Sequence, residues 1–299
     1  CKRGGGVINF IMEEENLTFP DAVRFLAKRA GMEIPEEDGD QEAGRRRARL
    51  LELNREAARF YYQLLQQPEG DAVRAYLAKR KITRQTAVRF GMGASPNAWD
   101  ALLTAMTRRG YTKKELLDAG LVVQNRNGGL YDKFRNRLML PVIDTRGDVV
   151  AFGSRVLDGS EPKYMNSSET PVYSKRRVLY GLNLAKKTKR PNIILCEGNL
   201  DIVTLHQAGF DNAVASMGTA LTVEQIRLLS RFTRELVLCY DNDNAGKVAT
   251  ERALQLLDNS EFTVKVLQLP RRLVDGAYVK HEEEILEEGD IINVDCTTI

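Results

Sequence analysis

Ile193-Ile194-Leu195-Cys196-Glu197-Gly198-Asn199-Leu200-Asp201 and Glu235-Leu236-Val237-Leu238-Cys239-Tyr240-Asp241-Asn242-Asp243-Asn244-Ala245-Gly246 follow one plan: a short apolar run, then acids and a glycine. A short apolar run bounded by turn residues reads as a strand buried on both faces. Around these two runs, helix and strand signals alternate. Leu200–Ala208 reads as a helix, Ala213–Ala215 as a strand, Thr222–Arg231 and Ala245–Leu257 as helices, and Thr263–Leu269 as a strand. Such repetition implies a mainly parallel, Rossmann-like α/β sheet with helices on its faces. In sheets of this kind the functional groups gather at the carboxyl ends of the strands. Both acidic segments fall there.

Upstream the pattern is different. Val7, Ile8, Phe10, Ile11 and Met12 recur at helical spacing, Pro20 opens a second helix, and Gly31 is placed to end it. The apolar-free stretch Pro35–Asp40 predicts a linker, and a long amphipathic helix is expected from Gln41 to about Gln67. Short helices are expected at Asp71–Lys79, Thr83–Phe90, Asp100–Arg108 and Thr112–Ala119, with Thr83 and Thr112 as N-caps and Gly110 and Gly120 as terminators. Leu138–Ile143 and Val149–Gly153 read as strands joined by the turn Asp144-Thr145-Arg146-Gly147. The expected fold class is an α+β N-terminal basic subdomain followed by an α/β domain. The expected divisions are 1–35, a linker over 36–45, 46–190, 191–270 and a divergent tail over 271–299.

Composition narrows the function classes. The chain has 299 residues, 44 Lys/Arg against 41 Asp/Glu, and a net charge of +3, which suits a core-forming protein of about two domains. No apolar run approaches the roughly 18–20 residues of a membrane span. Cys1, Cys196, Cys239 and Cys296 are far apart in sequence, so reduced thiols and a cytoplasmic setting are expected. With only His206 and His281, a histidine-based zinc enzyme is excluded. Charge is unevenly spread. Between Tyr131 and Arg190, 13 Lys/Arg face 6 Asp/Glu, a local +7 that suits phosphates as well as a solvated face.

The acids carry the chemistry. Taken singly, Glu197 fits a helix N-terminal acid and Asp241 a helix cap. If their strands are neighbours, Glu197, Asp241 and Asp243 converge at one sheet edge, with Gly198 and Gly246 allowing close backbone approach. Crowded carboxylates repel, and a hard, oxygen-seeking cation such as Mg²⁺ relieves that repulsion.

Glu-Gly-x-x-Asp after one strand, Gly218-Thr219-Ala220 after the next and Asp-x-Asp-x-Ala-Gly after the third resemble a TOPRIM domain. That module occurs in primases, topoisomerases and some nucleases. Upstream, Phe134–Met139, Gly153–Leu157, Pro162–Thr170, Leu179–Leu182, Val7–Met12 and Asn16–Val23 resemble the bacterial replicative primases of the DnaG type, over roughly residues 1–281.

The resemblance implies RNA primer synthesis from ribonucleoside triphosphates on single-stranded DNA. It implies Mg²⁺ (or Mn²⁺) on Glu197, Asp241 and Asp243, which would be the catalytic and metal-binding acids, with Asp201 beside the nucleotide or metal. Arg155, Lys163 and Tyr164 match nucleotide and template contacts, and their types suit phosphate and base. Arg135 and Arg137, alternating on what reads as an extended segment, are expected to share a face along a DNA backbone, with Lys175 as a further candidate. Cys1 fits the last ligand of the family's zinc ribbon. One thiolate cannot close a tetrahedral site, so no structural zinc is expected.

Other departures concern the tail. Glu282-Glu283-Glu284 stand where the family has a further aspartate pair, and Leu286–Asp295 resembles a short stretch of methionine aminopeptidases without that family's other ligands. A chain shortened at both ends is expected, lacking the family's helicase-binding domain. Two other readings remain open on sequence: a non-catalytic single-stranded nucleic-acid-binding module, and another TOPRIM enzyme.

Overall fold

The computed structural model describes residues 6–15, 17, 19–32, 38–241, 243–258 and 260–267, and the backbone of 273–274, 277–278 and 296–297. Cys1 and Glu282–Glu284 lie outside them. The chain opens with two helices, α1 (Val7–Glu14) and α2 (Phe19–Ala30), and Gly31 ends α2 at φ +67. The long helix α3 (Asp38–Leu65) begins inside the segment expected to be a linker. Acids at a helix start favour the helical state by meeting its dipole, so an acidic, apolar-free stretch suits a first turn as well as a linker.

Then come α4 (Asp71–Lys79), α5 (Arg84–Arg89), β1 (Gly93–Ser95), α6 (Ala101–Arg108) and α7 (Lys113–Asp118). Thr83 caps α5 by accepting from the Thr86 N–H, and Thr112 forms a capping box with Glu115, as their sequence positions predict. A hairpin of β2 (Val122–Gln124) and β3 (Leu130–Asp132) follows. Next are β4 (Arg137–Ile143), β5 (Val149–Val156), β6 (Tyr164–Asn166) and α8 (Leu182–Ala185). The α/β half contains β7 (Asn192–Cys196), α9 (Asn199–Gln207), β8 (Ala213–Ala215), α10 (Val223–Leu229), β9 (Glu235–Leu238), α11 (Asn244–Leu257) and β10 (Thr263–Leu267). Three two-residue strands complete the described chain: β11 (Leu273–Val274), β12 (Ala277–Tyr278) and β13 (Cys296–Thr297).

Two sheets organise these elements. The first is antiparallel, in the order β1-β4-β5-β6; the second runs β13-β10-β9-β7-β8 and is parallel except for β13. α3 covers the first sheet, with Tyr61 edge-on to Phe152 at 5.6 Å. Gly93 is required at that crossing, because a Cβ there would lie 2.6 Å from the Tyr61 backbone. Leu53, fully buried, sits in the same core, and truncating such a leucine typically costs about 2–5 kcal/mol.

A second core joins the two sheets. Leu140 and Val142 of β4 pack with Ile194, Ala213 and Ala215 of the parallel sheet, and Phe90 stacks on Tyr180 at 5.9 Å. Tyr180 also exchanges backbone hydrogen bonds with Ala215 at 2.8 and 3.0 Å. These contacts bring the carboxyl ends of the parallel strands against β5 and β6.

Candidate active site and nucleic-acid groove

β7 and β9 are direct neighbours, with Leu195 paired to Leu238, so their acidic extensions leave the sheet side by side. The Asp241 N–H donates to Glu197 Oε1 at 3.3 Å, which ties the two segments together. Asp243 turns into α11, its Oδ1 accepting from the Gly246 N–H at 2.8 Å. Gly246 has no substitute: a Cβ there would lie 1.9 Å from the Asp241 carbonyl oxygen. Asp201, in the first turn of α9, accepts from the Gly198 N–H at 3.1 Å.

The carboxylates act on one another. Burial first, then the charge of Asp241, raises the Glu197 pKa, with further contributions from Asp243 and Asp201. Asp201 is pushed up to about 6, by the surrounding protein and then by Asp241, with Arg80 and Arg155 opposing. Its side chain keeps an exposed face, and water screens part of that effect. Among the described residues, no three His, Cys, Asp or Glu side chains form a ready-made metal cage. Mg²⁺ does not need one, since it is commonly held by one or two carboxylates, waters and substrate phosphates. The donor set fits it: oxygen ligands only, drawn together at an energetic cost that a dication reverses. Beneath the acids, Cys196 and Cys239 are free thiols, and the Cys196 pKa is raised by its hydrogen bond with Cys239 and by burial.

Across from Asp201 stands a stack of arginines and tyrosines. Arg155 is 9% exposed, lies 4.9 Å from the Tyr76 ring and 5.3 Å from the Tyr164 ring, and donates to Tyr164 Oη at 2.6 Å. Its Nε has no hydrogen-bond partner among the described residues, a buried donor suited to an anionic ligand. Tyr164 is 47% exposed, and Lys163 Nζ lies 6.0 Å from its ring. Gly153 lets β5 come this close to α9, because a Cβ would meet Asn199 Nδ2 at 2.6 Å and Asn166 Oδ1 at 3.1 Å. Asn166 in turn donates to the Met217 carbonyl at 3.1 Å, fastening β6 to the loop before Gly218.

Arg135 and Arg137 line one cavity of about 470 Å³, with Trp99, Lys133 and Asn136. The route to that shared cavity differs from the expected one. Asn136 has φ +52, so the segment is not extended and strand alternation does not align the two arginines. Instead Arg135 lies over the Trp99 ring at 4.3 Å and the Tyr131 ring at 5.0 Å. Arg137 is buried, donates to the Pro162 carbonyl at 2.9 Å, and its pKa is lowered by burial and then by Arg135. Lys175 lies close enough to Lys133 to lower its pKa, after burial, and its backbone N–H donates to Glu169 at 2.8 Å.

Tyr76, Asn199, Trp99 and Lys133 carry no local motif, and sequence reasoning missed them. A helix register placing Tyr76 one turn before Arg80 is the one signal that was available.

Three family models match the chain: the N-terminal domain of the DNA primase catalytic core over residues 60–186, a Toprim-like domain over 194–276 and a CHC2 zinc finger over 1–42. The solved structure of the DnaG primase catalytic domain bound to ssDNA is 38% identical, with a TM-score of 0.70 over 79% of this chain and 74% of that one. The chain belongs to the DnaG primase family. The DNA primase of Clostridium acetobutylicum is 41% identical over 273 residues, 90% of this chain and 45% of that protein. The chain thus spans about half the length of the curated primases it matches. The RNA polymerase domain of Mycobacterium tuberculosis primase DnaG, solved in complex with double-stranded DNA, is 38% identical with a TM-score of 0.67, over 75% of this chain and 73% of that one. The primase-type core and Toprim fold expected from the motifs are therefore established. Among the described residues no helix is long and apolar enough to cross a membrane.

Proposed function

We propose that this primase-family chain synthesises short RNA on single-stranded DNA in the cytoplasm, joining ribonucleoside triphosphates by metal-assisted nucleotidyl transfer. The observation that carries the reading is the juxtaposition at the seam. Acids from two adjacent parallel strands stand opposite a buried arginine whose Nε has no partner among the described residues. In the reaction a 3′-hydroxyl attacks the α-phosphorus of the incoming nucleotide and pyrophosphate leaves.

Negative charge builds on the phosphoryl oxygens, so positioning and cations dominate such catalysis. Glu197, Asp241 and Asp243 would hold Mg²⁺, which when bound would neutralise that charge. Asp201 stands beside the nucleotide, oriented by the Gly198 N–H. The Arg155 guanidinium, held between two tyrosine rings, would offer its planar fork to the triphosphate. Lys163 adds a point charge, and exposed Tyr164 offers a face to a base. Arg135, Arg137 and Lys175 belong to the wall that tracks the template backbone.

The CHC2 zinc-finger match over residues 1–42 contains Cys1 as its single cysteine, and no step of this scheme uses zinc. The division into domains at 46–190 and 191–270 is part of the same proposal, with the seam between them forming the site.

The test is ribonucleotide incorporation on a single-stranded template with Mg²⁺ or Mn²⁺. Wild type should incorporate, whereas Glu197→Gln and Asp241→Asn should not. If all three bind template alike and none incorporates, the chain is a binding module instead.

A further inference from the structure

Arg80 follows α4 as its C-cap, and the backbone then turns through Lys81 at φ +52. The Lys81 N–H reaches the Ala78 carbonyl and the Ile82 N–H reaches the Leu77 carbonyl, both at 2.9 Å. That pattern closes a helix on a left-handed residue, a place usually filled by glycine. Gly31, Gly91, Gly110 and Gly120 fill it elsewhere in this chain. Lys81 takes the same conformation with a Cβ that opposes it.

From the other half of the molecule, the Gln207 side-chain amide grips this turn on both sides. Its Nε2 donates to the Lys81 carbonyl at 2.9 Å, and its Oε1 accepts from the Thr83 N–H at 2.8 Å. Gln207 is the last residue of α9, the helix whose first turn carries Asp201. Phe90, edge-on to His206 at 5.2 Å, docks the same end of α9. Arg80 lies 5.6 Å from the Tyr76 ring, which Arg155 also approaches, and its charge acts on the Asp201 carboxyl.

We propose that Gln207 is a positioning residue, whose amide holds the left-handed turn at Lys81 and so keeps Arg80 at the Tyr76 ring beside Arg155, at the edge of the nucleotide site. The inference rests on the nucleotide site proposed above and adds a residue that touches no substrate. Without the clamp, Lys81 relaxes toward an ordinary φ, and Arg80, one residue away, moves with it.

Gln207→Met retains length and volume but loses both hydrogen bonds, while Lys81→Gly makes the turn comfortable without a clamp. The reading is the affinity for a fluorescent ribonucleoside triphosphate in Mg²⁺. Gln207→Met should weaken it about tenfold, while Tm moves by less than about 3 °C. Adding Lys81→Gly to that variant should restore affinity to within about twofold, and Lys81→Gly alone should bind as wild type does. In steady state, KM for the nucleotide should rise with kcat held within about twofold.

Wild-type affinity in Gln207→Met overturns the inference, as does failure of Lys81→Gly to restore it, or a loss that follows the unfolded fraction. A wild type that binds nucleotide without incorporating it defeats the primase reading alone, and the clamp is then judged on affinity. A wild type that binds no nucleotide overturns both.

Discussion

The acids beyond β7 and β9 and Arg155 of β5 meet at one seam, with Arg135 and Arg137 in a cavity of their own, yet acids and arginines are held in opposite ways. Glu197 and Asp201 are pushed toward protonation by crowding and by neighbouring carboxylates. Arg135 and Arg155 lie against aromatic rings, and Arg137 is satisfied by the Pro162 carbonyl. The basic side is organised in the free protein, since ring faces and carbonyls supply its counter-dipoles. The acidic side holds unfavourable energy, which a cation at the proposed metal site would release. On the proposed function, affinity for a polyanion and competence for catalysis should therefore be separable.

Removing one acid tests that separation most severely. Glu197→Gln should reduce Mg²⁺-dependent incorporation by about 10³-fold or more, since it removes several kcal/mol of charge stabilisation. In metal-free buffer the same variant should melt at the wild-type temperature or roughly 1–3 °C higher, because a repulsion is gone. Calorimetry with and without Mg²⁺ reads both parts, and a fall in the metal-free Tm would break the contrast.

The basic half has its own buried acid. Asp132 accepts from the Leu102 and Leu103 N–H groups at 2.7 and 2.9 Å, capping α6 from a distant strand. Burial raises its pKa from 3.8 to about 6. The folded protein therefore keeps a proton that the unfolded chain releases between about pH 4 and 6. Its contribution to stability is full below about pH 4 and is lost as pH rises through 6, by roughly 3 kcal/mol at most. Urea unfolding across that range should show this loss, and Asp132→Asn should flatten it.

Arg155→Lys keeps the charge but loses the planar fork and the stacking between Tyr76 and Tyr164. Nucleotide affinity should fall about tenfold, with template affinity little changed. The smallest effect is expected at Arg135. Arg135→Ala should weaken single-stranded DNA binding a few-fold and lower the salt slope by about 1. An unchanged slope would remove Arg135 from the DNA groove.

The strand–helix alternation from Ile193 to Leu267, the caps at Thr83 and Thr112, and the glycine stops at Gly31, Gly110 and Gly120 were legible in sequence, because each depends on residues a few positions apart. β1, β6 and the hairpin of β2 and β3 were missed, since their three residues mix polar and apolar types, unlike the wholly apolar Ala213–Ala215, and carry too little periodicity. The cap on α6 was illegible for another reason: Asp132 reaches it from about thirty residues away in sequence, while the local Asp100 makes no capping bond. Likewise, φ +52 at Asn136 gives Arg135 and Arg137 their common cavity by a turn rather than by strand alternation.

By itself the sequence determined the local chemistry: acids after apolar runs, glycines where a backbone must approach, a basic middle segment. Those are short-range steric and electrostatic preferences written residue by residue. Which strand lies beside which was decided by tertiary packing, and with it the meeting of Arg155 with Asp201 and of Gln207 with Lys81. Such meetings depend on how two sheets bury their shared apolar face, and that burial sums over the whole chain.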